Sequence, residues 1–140
     1  MQIGAIHRFT VATGGRGLTE ITGEVAAFVA STGVGAGLTT VFCRHTSASL
    51  IVQENADPDV QTDLEAFFER IAPEGQGRYV HEAEGPDDMP AHIRAALTLT
   101  SLSIPVEGGR LLLGTWQGIY LFEHRRTPRR REIVVQVMGD

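Results

Sequence analysis

The chain has 140 residues and a mass of 15.2 kDa, which fits one domain; 42% apolar and 21% charged residues describe an ordinary packed protein and exclude wholesale disorder. All twelve basic residues are arginine, so chemistry that needs a lysine, such as a Schiff base or a Walker-type phosphate loop, is excluded. The net charge is −5, yet five of the arginines lie between Arg125 and Arg131, and without them the charge is −10: an acidic body with one basic turn. From the N-terminus, Ile3–Val11 alternates loosely and predicts a strand, and Thr13–Gly17 predicts a turn. Leu18–Ile21 extends briefly. Thr22 then suits the cap of a helix over about Gly23–Ser31, with Val25, Phe28 and Val29 on one face. Leu38–Arg44 predicts a strand, and Leu50–Gln53 resumes an extended run after a polar break. Asp57-Pro58 reads as a cap and first helical residue of a helix to about Ile71, with Val60, Leu64, Phe67, Phe68 and Ile71 on the core side. A loop at Pro73–Gly77 and an acidic segment follow. A short helix is expected next, with Asp88 as N-cap and Pro90 near its start, through about Leu97. The remainder reads as β structure: Ser101–Val106, a Glu107–Arg110 hairpin turn, Leu111–Leu113, a glycine-bounded kink at Gly114–Gly118, Ile119–Glu123, a loop, and Arg131–Met138.

The pattern predicts an α+β protein, a mostly antiparallel β-sandwich with two main helices and one short helix, as a single domain over residues 1–140. The lone cysteine, Cys43, cannot form an intrachain disulfide and reads as a small buried hydrophobe. Neither a signal-peptide pattern nor a membrane-length apolar run is visible, so the expectation is a soluble cytoplasmic protein with no membrane partner.

Three polar clusters interrupt otherwise good strands, and such breaks in local rules mark candidate functional sites. The first is Arg44-His45-Thr46-Ser47-Ala48-Ser49. Its hydroxyls and turn N–H groups can hold phosphate oxygens, and His45 can act as acid, base or ligand. The same residues can equally form a turn that satisfies its own backbone. The second, His81 to His92, holds two histidines and four carboxylates in twelve residues. Asp88 and His92 are spaced i, i+4, and His81 can complete a His/His/carboxylate site for a divalent metal such as zinc or magnesium. The alternative is that Asp88 only caps its helix. The third is Gly114-Thr115-Trp116-Gln117-Gly118 followed by Glu123-His124-Arg125. It can offer a stacking surface and amide hydrogen bonds, or it is a bulge with an interface tryptophan. Asn55 and Asp63 flank the start of the long helix and are weaker candidates; His7, on an edge-like strand, reads as structural. The basic turn lacks interleaved aromatics and sits on an acidic body, which argues against nucleic acid and for a local anion pocket or a subunit contact.

In this order, His45-Thr-Ser-Ala-Ser-Leu50, Asn55, Glu84-Gly-Pro-Asp-Asp-Met-Pro-Ala-His92, Gly114-Thr-Trp-Gln-Gly-Ile119 and Glu123-His-Arg125 resemble the YjbQ-like proteins, often named secondary thiamine-phosphate synthases. The resemblance covers nearly the whole chain. It implies a compact β-sandwich with helices, a homotrimer, and site positions at His45, Thr46, Ser47, Asn55, His81, Asp88, His92, Thr115, Gln117 and Glu123. The implied reaction joins a pyrimidine-methyl diphosphate to a thiazole phosphate and releases pyrophosphate. Its leaving group needs a metal or cations. On that reading His81, Asp88 and His92 hold the metal, while His45, Thr46 and Ser47 meet phosphate. Trp116 and Gln117 face the pyrimidine ring, and Asn55 and Thr115 are further substrate-binding positions. Two other readings stay open: a trimer that binds a metal or a small phosphorylated metabolite in another role, and a hydrolytic or transfer enzyme with His45 or Glu123 as general base.

Overall fold

The computed structural model describes residues 2–140. In chain order the elements are β1 (Ile3–Thr13), β2 (Gly17–Glu20), α1 (Thr22–Thr32), β3 (Ala36–Cys43), β4 (Ala48–Glu54), α2 (Pro58–Ile71), α3 (Asp88–Leu97), β5 (Ser101–Glu107), β6 (Arg110–Leu111), β7 (Gln117–Glu123) and β8 (Arg129–Gly139). The strands form a five-stranded sheet, β1-β8-β3-β5-β6, and a three-stranded sheet, β2-β7-β4, with every named pairing antiparallel. This is the α+β sandwich the sequence predicts.

Period-2 patterning builds the interface between the sheets. In β8, Ile133, Val135 and Val137 turn inward beside Val41 and Cys43 of β3 and Leu102, Ile104 and Val106 of β5. The smaller sheet answers with Ala48 and Leu50 of β4 and Ile119 and Leu121 of β7, and α1 closes the core with Val25 and Val29. Strand β7 is buried on both faces. Its second face carries Phe122, whose ring meets Phe68 of α2 edge-on at 5.4 Å and the His124 ring at 4.4 Å. The three-stranded sheet is therefore a middle layer, with the large sheet on one side and Phe68 of α2 on the other.

Several boundaries and faces differ from the sequence expectation, each for a local reason. Thr22 is the first helical residue of α1 rather than its cap. Its hydroxyl donates to Glu20 at 2.9 Å and accepts the Ile119 N–H at 2.8 Å, so it ties α1 to β7 instead. Asp57 does cap α2, accepting the Asp59 N–H at 2.9 Å. Only Phe68 of that helix is fully buried, while Phe67 and Ile71 remain exposed, because the sheet beneath is just three strands wide. In α3 the cap falls on Asp87, one residue earlier than expected, and Asp88 is helical with its side chain directed elsewhere. The return strand β6 is only two residues long rather than Leu111–Leu113. His7 lies on edge strand β1, stacked on Phe9 and Phe28, with its Nε2 3.0 Å from Glu24, as a structural histidine would be.

Candidate metal centre

The first turn of α3 gathers the second polar cluster. Asp88 is buried, and its Oδ2 lies 2.7 Å from His81 Nε2 and 3.1 Å from His92 Nε2. The three ligand atoms all lie within 4.8 Å of one another. Helix geometry brings Asp88 and His92 to one side, one turn apart. The segment between α2 and α3 carries His81 to the same point. The second carboxylate oxygen, Oδ1, accepts Arg125 Nη1 at 2.6 Å. Arg125 is clamped in turn: its Nε donates to Asp87 Oδ2 at 3.0 Å and its Nη2 to the Glu84 carbonyl at 2.9 Å. Burial pushes the Asp87 carboxyl up. The Arg125 guanidinium and the Arg126 N–H outweigh it, and the net value falls to about 2. Asp88 is likewise held below the usual carboxylate range, burial being outweighed by His81, His92 and Arg125.

His92 shows what the cluster is suited to hold. Its Nδ1 lies 2.8 Å from the Thr46 carbonyl, which can only accept, so Nδ1 carries the proton. In the neutral ring Nε2 is then a lone pair aimed at a carboxylate oxygen. Two acceptors at that separation need a positive charge between them, either a proton or a metal ion. A backbone carbonyl holding the far nitrogen is also the usual way a ligating histidine is oriented. Two ligands on one tetrahedral ion, each about 2.1 Å from it, lie about 3.4 Å apart; these atoms, 2.7 and 3.1 Å from Asp88 Oδ2 and all within 4.8 Å of one another, bracket that spacing. Two imidazoles and one carboxylate form a donor set for zinc and similar transition metals rather than magnesium, which prefers oxygen.

A groove of about 310 Å³ beside the cluster is lined by His45, Thr46, His92, Ala95, Ala96 and Thr100. His45 accepts the Glu132 N–H on Nε2 at 2.7 Å, and burial, helped by Arg131, lowers its pKa. It is therefore neutral, with its proton on Nδ1. A second pocket, of about 320 Å³, is lined in part by Tyr79, His81, Glu82 and Pro86.

The other expected site residues lie apart from this cluster. Glu123 is fully buried, and both its oxygens are engaged. Oε1 accepts Thr13 Oγ1 at 2.6 Å and Arg131 Nε at 2.8 Å; Oε2 accepts Arg131 Nη2 at 2.5 Å and the N–H groups of His124 and Arg125 at 3.0 and 3.1 Å. Burial raises its pKa, but Arg131 and Thr13 outweigh that, and the net shift is downward. Its surroundings are those of a carboxylate holding strands together. Ser47 joins the same network, accepting Arg131 Nη2 on its hydroxyl at 3.0 Å and on its carbonyl at 3.2 Å. Asn55, Thr115, Trp116 and Gln117 sit at the opposite end of the β4–β7 ladder. The register pairs Ala48 with Glu123 at one end and Glu54 with Gln117 at the other, about 20 Å away at the usual rise per residue. There Asn55 donates its N–H to the Trp116 carbonyl at 2.9 Å, and Gln117 Oε1 accepts the Gly114 N–H at 2.8 Å. Trp116 is exposed.

Sequence reasoning named Arg125 and Asp87 within two separate clusters but gave neither a role. The paired acids and the EHR tripeptide were the available signals, but nothing in the linear order says that residues 38 apart form an ion pair. The basic turn is consequently far less basic than it reads. Arg125, Arg126 and Arg131 are all paired with carboxylates, the second with Glu74 at 3.1 Å.

Fold and cluster together define an antiparallel β-sandwich that carries two histidines and a carboxylate at the start of its third helix. The family model described as UPF0047 protein YjbQ-like matches residues 7–140. A UPF0047 protein of Synechocystis sp. is 58% identical over 130 residues, covering 93% of this chain and 88% of the relative. The UPF0047 protein YjbQ of Escherichia coli O157:H7 is 43% identical over 132 residues, covering 94% and 95%. The crystal structure of an uncharacterized protein of the same family from Clostridium acetobutylicum superimposes with a TM-score of 0.87 at 39% identity, over 94% of this chain and 98% of that one. The chain belongs to the YjbQ-like, UPF0047 family. Among the described residues no helix is long and apolar enough to cross a membrane.

Proposed function

We propose that this protein binds a divalent transition-metal ion, zinc in preference to magnesium, on His81, Asp88 and His92, and uses it to hold the phosphate of a small metabolite. The observation behind this is the convergence of His81 Nε2 and His92 Nε2 on Asp88 Oδ2, at 2.7 and 3.1 Å, with His92 Nδ1 held 2.8 Å from the Thr46 carbonyl. Three protein ligands leave coordination positions for a substrate oxygen, and a bound metal supplies charge to neutralise it. His45, neutral and lining the adjacent groove, is placed to donate Nδ1–H to a phosphate oxygen or to move a proton.

Thiamine-phosphate synthesis is the more specific form of this reading. It asks for both the metal and a face for the pyrimidine ring. Trp116 and Gln117 lie at the far end of the β4–β7 ladder, so in this version a second copy within a homotrimer would bring that end to the metal. The general form needs no such arrangement.

Zinc titration of chelator-treated protein tests the metal site. One ion per chain is expected, with affinity lowered at least about 100-fold in His81→Ala and in His92→Ala. A chain that takes up no zinc overturns the site. Turnover of the two thiamine precursors, with and without metal, tests the specific form. A rate unchanged by His92→Ala and His45→Ala would remove those residues from the chemistry and leave metal binding as a separate property.

A further inference from the structure

Asp88 carries two oxygens, and only one faces the histidines. Oδ2 meets His81 and His92, while Oδ1 accepts Arg125 Nη1 at 2.6 Å. The torsion that rotates a carboxylate is broad, so a partner must set which oxygen points where. Arg125 is that partner, and it is itself fixed. Its side-on edge meets Asp87, Nε to Oδ2 at 3.0 Å and Nη2 to Oδ1 at 3.4 Å, and Nη2 also donates to the Glu84 carbonyl at 2.9 Å. The side chains of Arg125, Asp87 and Asp88 are at most 11% exposed, so water is a poor substitute for the arginine at Oδ1.

Asp87 stands at the N-cap of α3, where an aspartate usually accepts a helix N–H. Its side chain makes no such bond. It turns instead to Arg125 and to the Arg126 N–H at 3.0 Å, so its capping bond is given up for holding the arginine. Gly85, with φ of 106°, lets the loop close over this pair: a Cβ there would lie 3.2 Å from Asp87 Oδ1 and 3.7 Å from Arg125 Nη2. Through the Glu84 carbonyl, Arg125 also anchors the segment that brings in His81. We propose that Arg125 is a positioning residue of the metal centre: it holds Asp88 to one ligating oxygen, and so favours an ion bound through two nitrogens and one oxygen over an oxygen-preferring ion such as manganese. This role rests on the metal centre proposed for His81, Asp88 and His92.

Titration of the chelator-treated full chain with zinc, and separately with manganese, tests the role. Arg125→Lys keeps the charge but loses the fork, so it reads geometry rather than field. Zinc affinity should fall about tenfold or more. Manganese gains the released Oδ1 as an oxygen ligand and should weaken less, so the zinc-to-manganese affinity ratio falls. A merely structural loss would weaken both ions alike. If Arg125→Lys does not fold, a crystal structure of the zinc-loaded, unaltered chain provides the second measurement: Arg125 Nη1 should stay on Asp88 Oδ1, with Oδ2 alone on the ion. Zinc affinity unchanged or raised in Arg125→Lys, an unchanged ratio, or both Asp88 oxygens on the ion would each overturn the proposal and leave the metal centre standing. No zinc uptake by the unaltered chain would overturn both.

Discussion

Removing Arg131 examines whether Glu123 holds the fold together. Arg131→Met keeps most of the side-chain volume and deletes two charge-assisted bonds to Glu123, at 2.8 and 2.5 Å, and two to Ser47. Glu123 is fully buried, so its charge cannot recover water. Breaking a buried pair from one side costs about 3–5 kcal/mol. Thr13 and two backbone N–H groups stay on the carboxylate, which argues for the lower end, about 3 kcal/mol. With a urea slope of about 2 kcal/mol per molar, the midpoint should fall by about 1.5 M at neutral pH. The pH dependence carries a sign. In the unaltered chain Glu123 is held below its ordinary 4.5, so its contribution is present above that value and is lost as pH falls through the folded one. In the variant, burial is less opposed and the carboxyl titrates higher. Protonation then relieves the stranded charge, and the deficit should shrink on acidification. Urea unfolding followed by circular dichroism at several pH values reads both effects. A deficit under about 1 kcal/mol at pH 7, or one that does not shrink in acid, would refute the reasoning.

His124 gives a separate acid response. The Thr98 hydroxyl donates to the Arg94 carbonyl at 2.9 Å, so it accepts from Ser49, and Ser49 accepts His124 Nε2–H at 2.8 Å. Burial, then Arg94, lowers the His124 pKa from 6.5 to about 3, so its contribution is intact above 6.5 and drains away as pH falls towards 3. Between pH 6.5 and 4.5 the loss should reach about 2 kcal/mol, and His124→Gln should flatten the slope in urea titrations. In the sheet, Gly37 of β3 faces Gly139 of β8 across the ladder. A Cβ on Gly37 would strike the Met138 carbonyl, so Gly37→Ala should lower stability by about 1–3 kcal/mol in urea unfolding, while Gly4→Ala, where a Cβ meets open space, should not.

Local patterns carried much of the fold. Alternation in Ile133, Val135 and Val137 identified the last strand and its buried face, and Asp57-Pro58 fixed the start of α2. Both signals act within a few residues of their source. The i, i+4 spacing of Asp88 and His92 placed two of the three residues of the candidate metal centre for the same reason. Helical spacing put Phe67 and Ile71 on the core side of α2, but they are exposed, because the sheet beneath is only three strands wide and that width is not local information. The third polar cluster spans one short stretch of sequence, yet strand β7 runs through it. Thr115, Trp116 and Gln117 end up at one end of the ladder and Glu123 at the other, since extended chain separates residues that a helix would gather.

The sequence by itself determined the two-sheet α+β architecture, the family, and a short list of polar residues, because periodicity and motif order survive in one dimension. Only the tertiary structure decided how the charges are matched. It turned Arg125 inward to hold Asp88, sealed Glu123 against Arg131, and buried Arg94 against Glu65. A buried charge is tolerable only beside partners that lie far along the chain, and the sheet register chooses those partners.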